Sequence, residues 1–353
     1  MATTPELLKT AELLEVIEFA RNAEICRNIS QLQKILHPLI DENDPLTSFD
    51  SLENPIRAEL LRLYGFFLTF EGRAKAKRDF HLTAKDFVTK AIGIFENENL
   101  PEKTAEAEIT LAFCYWNNGE SEEAEAFFEL LEAKFVNKLD PVFLQLQINK
   151  IMLYWCSGRF DQGIKIINEI STIVEFCADF RLRIMFNLES ANLYQFRDKK
   201  ISENYYEKVI ALCKQHKHDY FLAVAYNNYS FVLSDKGNFA KAHDLIRLSE
   251  KGFRRLDQNG WLPHIADSKA QIFLTEKRYL DALKSVDDAI RKFAASDDHY
   301  GFVGALWTKC RILLNLQRIS EAFQVFGELQ IHALQNIGRK TFDYYAELLN
   351  VNQ

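Results

Sequence analysis

Few residues of this chain have the types and spacing to do chemistry, and the clearest group is Cys213, His216 and His218 in ALCKQHKHDY. A thiolate and two imidazoles are ligand types of a zinc site. Cys213 and His216 lie one turn apart on a helix, but His218 leaves that face and no fourth ligand is evident. The stretch reads instead as a helix C-terminus, where Lys and His residues complement the dipole. His264 and Asp267, three apart, have the spacing of an acid–base pair, yet no nucleophile neighbours them. A surface hydrogen bond or a ligand contact is their expected role. No GxGxxG, Walker A, HExxH, GxSxG or EF-hand pattern occurs. The expectation is a non-enzymatic chain with no metal and no cofactor.

A second set of residues is suited to holding a polypeptide. Asn149, Asn187 and Asn227 recur at spacings of 38 and 40, and Asn228 adjoins the last. A side-chain amide is donor and acceptor at once, so it can pair with a peptide's C=O and N–H without reading side chains. Trp116, Trp155 and Tyr194 recur every 39 residues. They form either an aromatic wall for apolar anchors or the packing between successive units. Gln145, Gln271 and Arg311 fall on the same expected face.

Recurrence on this scale requires repeated elements, and the stretch Leu222–Arg255 shows what they are. Ala223, Tyr226, Ser230 and Leu233 draw one helical stripe; Phe239, Ala242, Leu245, Ile246 and Ser249 draw a second. Lys236-Gly237-Asn238 separates them, with Gly237 placed for the positive φ that closes a helix. Ser230 and Ala242 are small enough to let the two backbones approach. Steps of 39 or 40 from Ser230 reach Ala112, Ile151, Ser190, Ala270 and Cys310. Parallel steps from Ala242 reach Ala124, Gly163, Ser202, Ala282 and Ala322. Eleven of these twelve positions are Ala, Gly, Ser or Cys, with Ile151 the exception. A period near 40 in helix pairs marks a helical solenoid, and Pro101, Pro141 and Pro263 stand where first helices should open.

These small residues, aromatics and turns resemble the tetratricopeptide (TPR) repeat, in the longer-period form of bacterial TPR regulators. The resemblance implies an all-α, right-handed superhelical solenoid of about seven antiparallel helix pairs. Residues 1–50 are expected as an N-terminal helical cap or degenerate repeat. Residues 51–100 would be a degenerate unit with an extended first helix or turn, its small residues Gly65 and Ala84 nineteen apart. Residues 101–336 would hold six repeats and 337–353 a capping helix. In such superhelices the first helix of each pair lines the concave face. That places Asn149, Asn187, Asn227 and Asn228 there with Trp116, Trp155, Tyr194, Gln145, Gln271 and Arg311, and beside them apolar positions such as Ile148 and Ile184. The implied function is binding of a protein or peptide segment in that groove, as a scaffold or regulatory adaptor. The alternatives are an intracellular sensor of a signalling peptide that regulates a partner protein and, ranked below it, an enzyme built on a helical solenoid. Clamping of a C-terminal carboxylate is not expected, because only Arg62 and Arg311 are basic on this face.

Composition narrows the partners. With 43 basic and 50 acidic residues the net charge is −7, against a nucleic-acid partner, whose phosphates need a clustered positive field. The run Arg73, Lys75, Lys77, Arg78 is expected to be a solvated face. Six dispersed cysteines without a CxxC pair argue against a disulfide framework. Apolar runs are too short to cross a bilayer, and the N-terminus lacks a signal-peptide pattern, so a cytoplasmic protein is expected.

Overall fold

A computed structural model describes residues 10–25, 29–41, 43–75, 78–117, 120–296, 298–336 and Ala346. Among the described residues there are sixteen α-helices and no strand. They begin with α1 (Thr10–Ile25) and α2 (Ile29–Leu36), followed by α3 (Asn54–Lys75) and α4 (Arg78–Asn97). Next come α5 (Pro101–Asn117), α6 (Ser121–Glu132), α7 (Pro141–Cys156), α8 (Phe160–Glu175), α9 (Phe180–Tyr194) and α10 (Lys199–Gln215). The series ends with α11 (Asp219–Asp235), α12 (Phe239–Arg255), α13 (Leu262–Thr275), α14 (Tyr279–Phe293), α15 (His299–Asn315) and α16 (Ile319–Asn336). The fold is an all-α helical repeat. Its described residues form two compact units, one of those up to 72 and 78–221, the other of 73–75 and those from 222 onward.

Within each unit an odd-numbered helix packs on the even-numbered one after it, and first helices of neighbouring pairs also touch, as α7 does α9 and α13 does α15. This sandwiching explains the composition of the first helices. In α7 ten residues are buried, Gln147, Asn149 and Lys150 among them, whereas α12 buries a single stripe of Ala242, Leu245, Ile246, Ser249 and Phe253. Pro101 and Pro141 open α5 and α7, and the Asp140 carboxylate caps α7 by accepting from Val142 N at 2.7 Å.

The small residues sit where helices cross. Ala112, Ser190, Ser230, Ala270, Ala124, Ser202, Ala242 and Ala282 are all fully covered. A Cβ on Gly163 would meet Leu193 Cδ1 at 2.2 Å, and one on Gly65 would meet Val88 Cγ2 at 2.5 Å and Ala84 O at 3.0 Å. Two serines also satisfy a neighbouring carbonyl: Ser202 Oγ donates to Ala191 O at 2.8 Å and Ser249 Oγ to Ala223 O at 2.7 Å. With no spare volume at such a crossing, Ala242→Leu should overpack it and cost about 1–3 kcal/mol. The exposed neighbour change Lys241→Glu should leave the melting temperature unaltered. Equal thermal melts for the two variants would contradict this packing.

Among the described residues, seven helix ends close through one device. The N–H groups of Asn238, Gln258, Arg278 and Arg318 donate to carbonyls five residues back, at 2.8–2.9 Å, with the intervening residue left-handed. That residue is Gly237 (φ 77°) in one turn, but Asp257, Lys277 and Gln317 (φ 56°, 63° and 58°) in others. A side chain in this conformation costs roughly 1 kcal/mol or more. Lys277 is exposed, so Lys277→Gly is expected to stabilise by about 0.5–1 kcal/mol. Gly237→Ala, whose Cβ would meet nothing within 4 Å, should lose a similar amount. Urea denaturation of both variants checks the pair of opposite signs.

Some expectations fall outside the described residues: the segment 337–353, Ala346 apart, and the side chains of Arg73, Lys75, Lys77 and Arg78. The last described helix, α16, leaves Phe323 and Ile331 each 60% exposed.

Candidate functional face of the first helices

In the first unit, Asn149 is almost covered, and its Oδ1 accepts from Gln145 Nε2 at 3.1 Å within α7. Asn187 is half-buried and donates to Arg183 O at 2.6 Å within α9. In the second unit, Asn227 is 6% exposed and its Nδ2 donates to Asn228 Oδ1 at 2.9 Å; its own Oδ1 is buried and unpartnered. Gln271 Nε2 donates to Asp267 Oδ2 at 2.7 Å within α13. Each of these bonds stays inside its own helix.

Asp267 falls in the same register as Asn227, forty residues on. Burial pushes its carboxyl up, against hydrogen bonds from Gln271 and Thr308 and the charges of His264 and Arg311. One carboxyl oxygen, Oδ1, is buried without a donor. His264 does not pair with it. Its Nε2 lies 2.7 Å from Asp298 Oδ2, on the N-cap residue of α15. Arg311 is exposed on α15.

The three aromatics take different surroundings. Trp116 is half-buried against a core cluster that includes Ala112, Phe128 and Leu131. Tyr194 stacks on Tyr205 of α10 at 5.9 Å, and burial with the Asp198 charge raises its phenol. Trp155 stacks on Phe196 at 6.5 Å, while its Nε1 donates to Glu189 Oε2 at 2.7 Å.

That last contact opens a network the repeat pattern did not disclose. Glu189 Oε2 also receives Asn192 Nδ2 at 3.1 Å, and Asn192 Oδ1 accepts the hydroxyl of fully buried Tyr206 at 2.7 Å. Burial pushes the Glu189 carboxyl up despite both donors. The Tyr206 phenol is raised well above its ordinary range, by burial and then by Glu189. α7, α9 and α10 are thereby tied at one point. The only sequence signal was a charged residue inside the apolar run around Ser190.

Two readings are corrected. Ile148 and Ile184, expected beside the amides, are fully buried, because first helices pack on two sides. Arg62 is not on an open face: it is 1% exposed, with NH1 and NH2 on Glu24 at 2.8 and 2.9 Å and NH2 on Glu59 at 2.8 Å. Burial alone would raise Glu59, but Arg62, with Arg21 and Lys103, holds it down at about 2. At the end of α10, Cys213 is buried and both histidines lie against Phe180. The Cys213 thiol is pushed up to about 12 by burial and then by Asp219. His216 stacks flat on Phe180 at 4.3 Å and His218 packs on Phe221 at 4.7 Å. Among the described residues, no three His, Cys, Asp or Glu side chains gather as a metal site, and no helix is long and apolar enough to cross a membrane.

In sequence, the chain matches no family profile and no curated protein. In structure it is similar to a signal transduction ATPase with numerous domains carrying a tetratricopeptide repeat sensor, from Pyrococcus horikoshii. That likeness has a TM-score of 0.55 and 12% identity over 93% of this chain, which spans about half, 52%, of the archaeal one. It is also similar to aspartyl phosphate phosphatase F from Bacillus subtilis, with a TM-score of 0.59 and 11% identity over 94% of this chain and 97% of that one. A Rap protein complexed with competence and sporulation factor gives 0.50 and 12%, over 89% and 100% of the two chains. At such identities the likeness establishes the fold alone, and that fold is a TPR-type helical repeat.

Proposed function

We propose that this chain is a protein- or peptide-binding regulatory module whose ligand lies along the first helices, held by their side-chain amides. The observation that carries the reading is that the Gln145–Asn149, Asn187–Arg183 and Asn227–Asn228 bonds each lie within one helix. Such bonds can open toward an incoming backbone without breaking a helix crossing. A solved structure of similar fold is a Rap protein complexed with competence and sporulation factor, which supports a ligand-binding role for this fold. The reading is non-enzymatic: on these faces the carboxyls are engaged as hydrogen-bond acceptors, Asp267 from Gln271 and Thr308 and Glu189 from Trp155 and Asn192. Selection from a displayed library of random linear peptides, followed by calorimetry on the amide variants described in the Discussion, tests it.

A further inference from the structure

A cleft of about 770 Å³ opens on the first unit between the α4–α5 turn and the α6–α7 connection. Its wall is apolar, formed by Leu100, Pro101, Ala105, Phe135, Val136 and Val142. The α4–α5 turn is held by Leu100 N donating to Phe95 O at 3.0 Å across left-handed Asn99 (φ 53°). Phe135 packs edge-on against Phe143 at 5.8 Å, and Val136 is 98% exposed. The rim is acidic: Glu96, Glu102, Glu108 and Asp140 line the cleft with one cation, Lys134. Lys134 is committed to Glu108, at 2.7 and 3.0 Å. Glu96 and Glu102 are exposed, and among the described residues neither makes an ion pair.

We propose that this cleft is a second docking site, apart from the amide faces, for a partner polypeptide presenting a bulky apolar side chain flanked by lysine or arginine. The volume falls within the range of sites that bury most of a ligand, roughly 300–1,000 Å³. The apolar wall supplies the anchor, since an aromatic or aliphatic group leaving water for such a pocket gains most of the contact energy. The unpaired carboxylates select the flanks, because opposite charge at a rim steers encounter and like charge rejects it. The attraction is exposed, so it is salt-sensitive.

The probes are three capped tripeptides, acetyl-Lys-Phe-Lys-amide, acetyl-Glu-Phe-Glu-amide and acetyl-Lys-Ala-Lys-amide, titrated against the full chain with methyl-detected NMR. Lys-Phe-Lys is expected to shift the methyls of Leu100, Val136 and Val142, and the other two to leave them in place. Glu96→Lys with Glu102→Lys should weaken it about tenfold or more, and Val136→Ser should weaken it with the charges intact. All three positions are exposed, so unchanged thermal melts verify the fold. Equal binding of Glu-Phe-Glu overturns the charge selection, and equal binding of Lys-Ala-Lys reduces the cleft to a counterion surface. Shifts confined to the amide faces, or no shifts, overturn the site itself.

Discussion

Replacing Arg62 by Leu is expected to destabilise the first unit by about 3–5 kcal/mol, the usual consequence of removing one partner from a buried ion pair. Arg62 is 1% exposed, and the carboxylates it leaves behind, Glu24 and Glu59, are 9% and 5% exposed. Arg21 retains a 2.8 Å contact with Glu59, but Glu24 loses its bidentate partner. Adding Glu24→Gln and Glu59→Gln should recover much of the loss, because the penalty lies in the stranded charge. As a contrast, the exposed Arg318–Glu321 pair should be replaceable with no change in melting. The pH dependence follows from the same groups. Glu59 is depressed from 4.5 to about 2, and Glu24 is lowered too, with burial opposing and Arg62 prevailing. A depressed carboxyl stabilises fully above its unfolded pKa, and that contribution disappears as pH falls from 4.5 toward 2. The wild-type chain should therefore lose stability over that window. In the Arg62→Leu variant Glu24 is buried without its counter-charge, so its pKa should rise and stability should decline with increasing pH above about 4.5. Urea denaturation across pH 3–7, with hydrogen exchange on α1 and α3, reads both slopes; parallel profiles would show that the pair does not govern this unit.

For the amide faces, two double variants are expected to abolish most binding of a selected peptide: Gln145→Ala with Asn187→Ala in the first unit, and Asn228→Ala with Gln271→Ala in the second. An amide pairing with a ligand backbone contributes about 1–2 kcal/mol. Each double variant should thus weaken a peptide bound on its unit by roughly thirty-fold to several-hundred-fold. Peptides of unrelated sequence should weaken together, because backbone contacts carry little side-chain information. All four residues are half-buried, so the fold should persist. A loss of about 1–2 kcal/mol is expected where Asn149 and Asp267 give up their donors. Truncating Asn149 and Asn227 instead should cost more stability, since they are 4% and 6% exposed. Selected peptides that bind the double variants as tightly as wild type would move recognition off the first helices.

Helix pairing and the crossing residues were legible in the chain itself. Backbones approach closely only where side chains are small, and a repeating unit must place those residues at a repeating interval, so spacing alone found Ser230 and Ala242. The same logic found the Gly65–Ala84 contact, where a Cβ would lie 3.0 Å from a carbonyl oxygen. Gly237 announced its turn because few residues adopt φ 77° cheaply, whereas Lys277 and Gln317 take the same conformation unannounced. Turn geometry there is imposed by packing, which overrides a preference worth about 1 kcal/mol.

The register of the amides could also be read, but their burial could not. Periodicity states which residues share a helix face. It does not state how far a neighbouring first helix covers that face, and this cover is what buries Asn149 and Ile148 while leaving Asn187 half open. Cross-helix polar partners were less accessible still. Arg62 meets Glu24 across 38 residues, Trp155 meets Glu189 across 34, and Asn192 meets Tyr206 across 14. These separations follow no single period, because each depends on side-chain reach and local crossing angle. The sequence by itself determined the repeat and its close contacts, which rest on backbone geometry and residue size. Only the tertiary structure decided which charges are paired, which amides remain turned toward their own helix, and where an acidic, apolar cleft opens between the turns. Those outcomes depend on which polar atoms meet after the helices have packed.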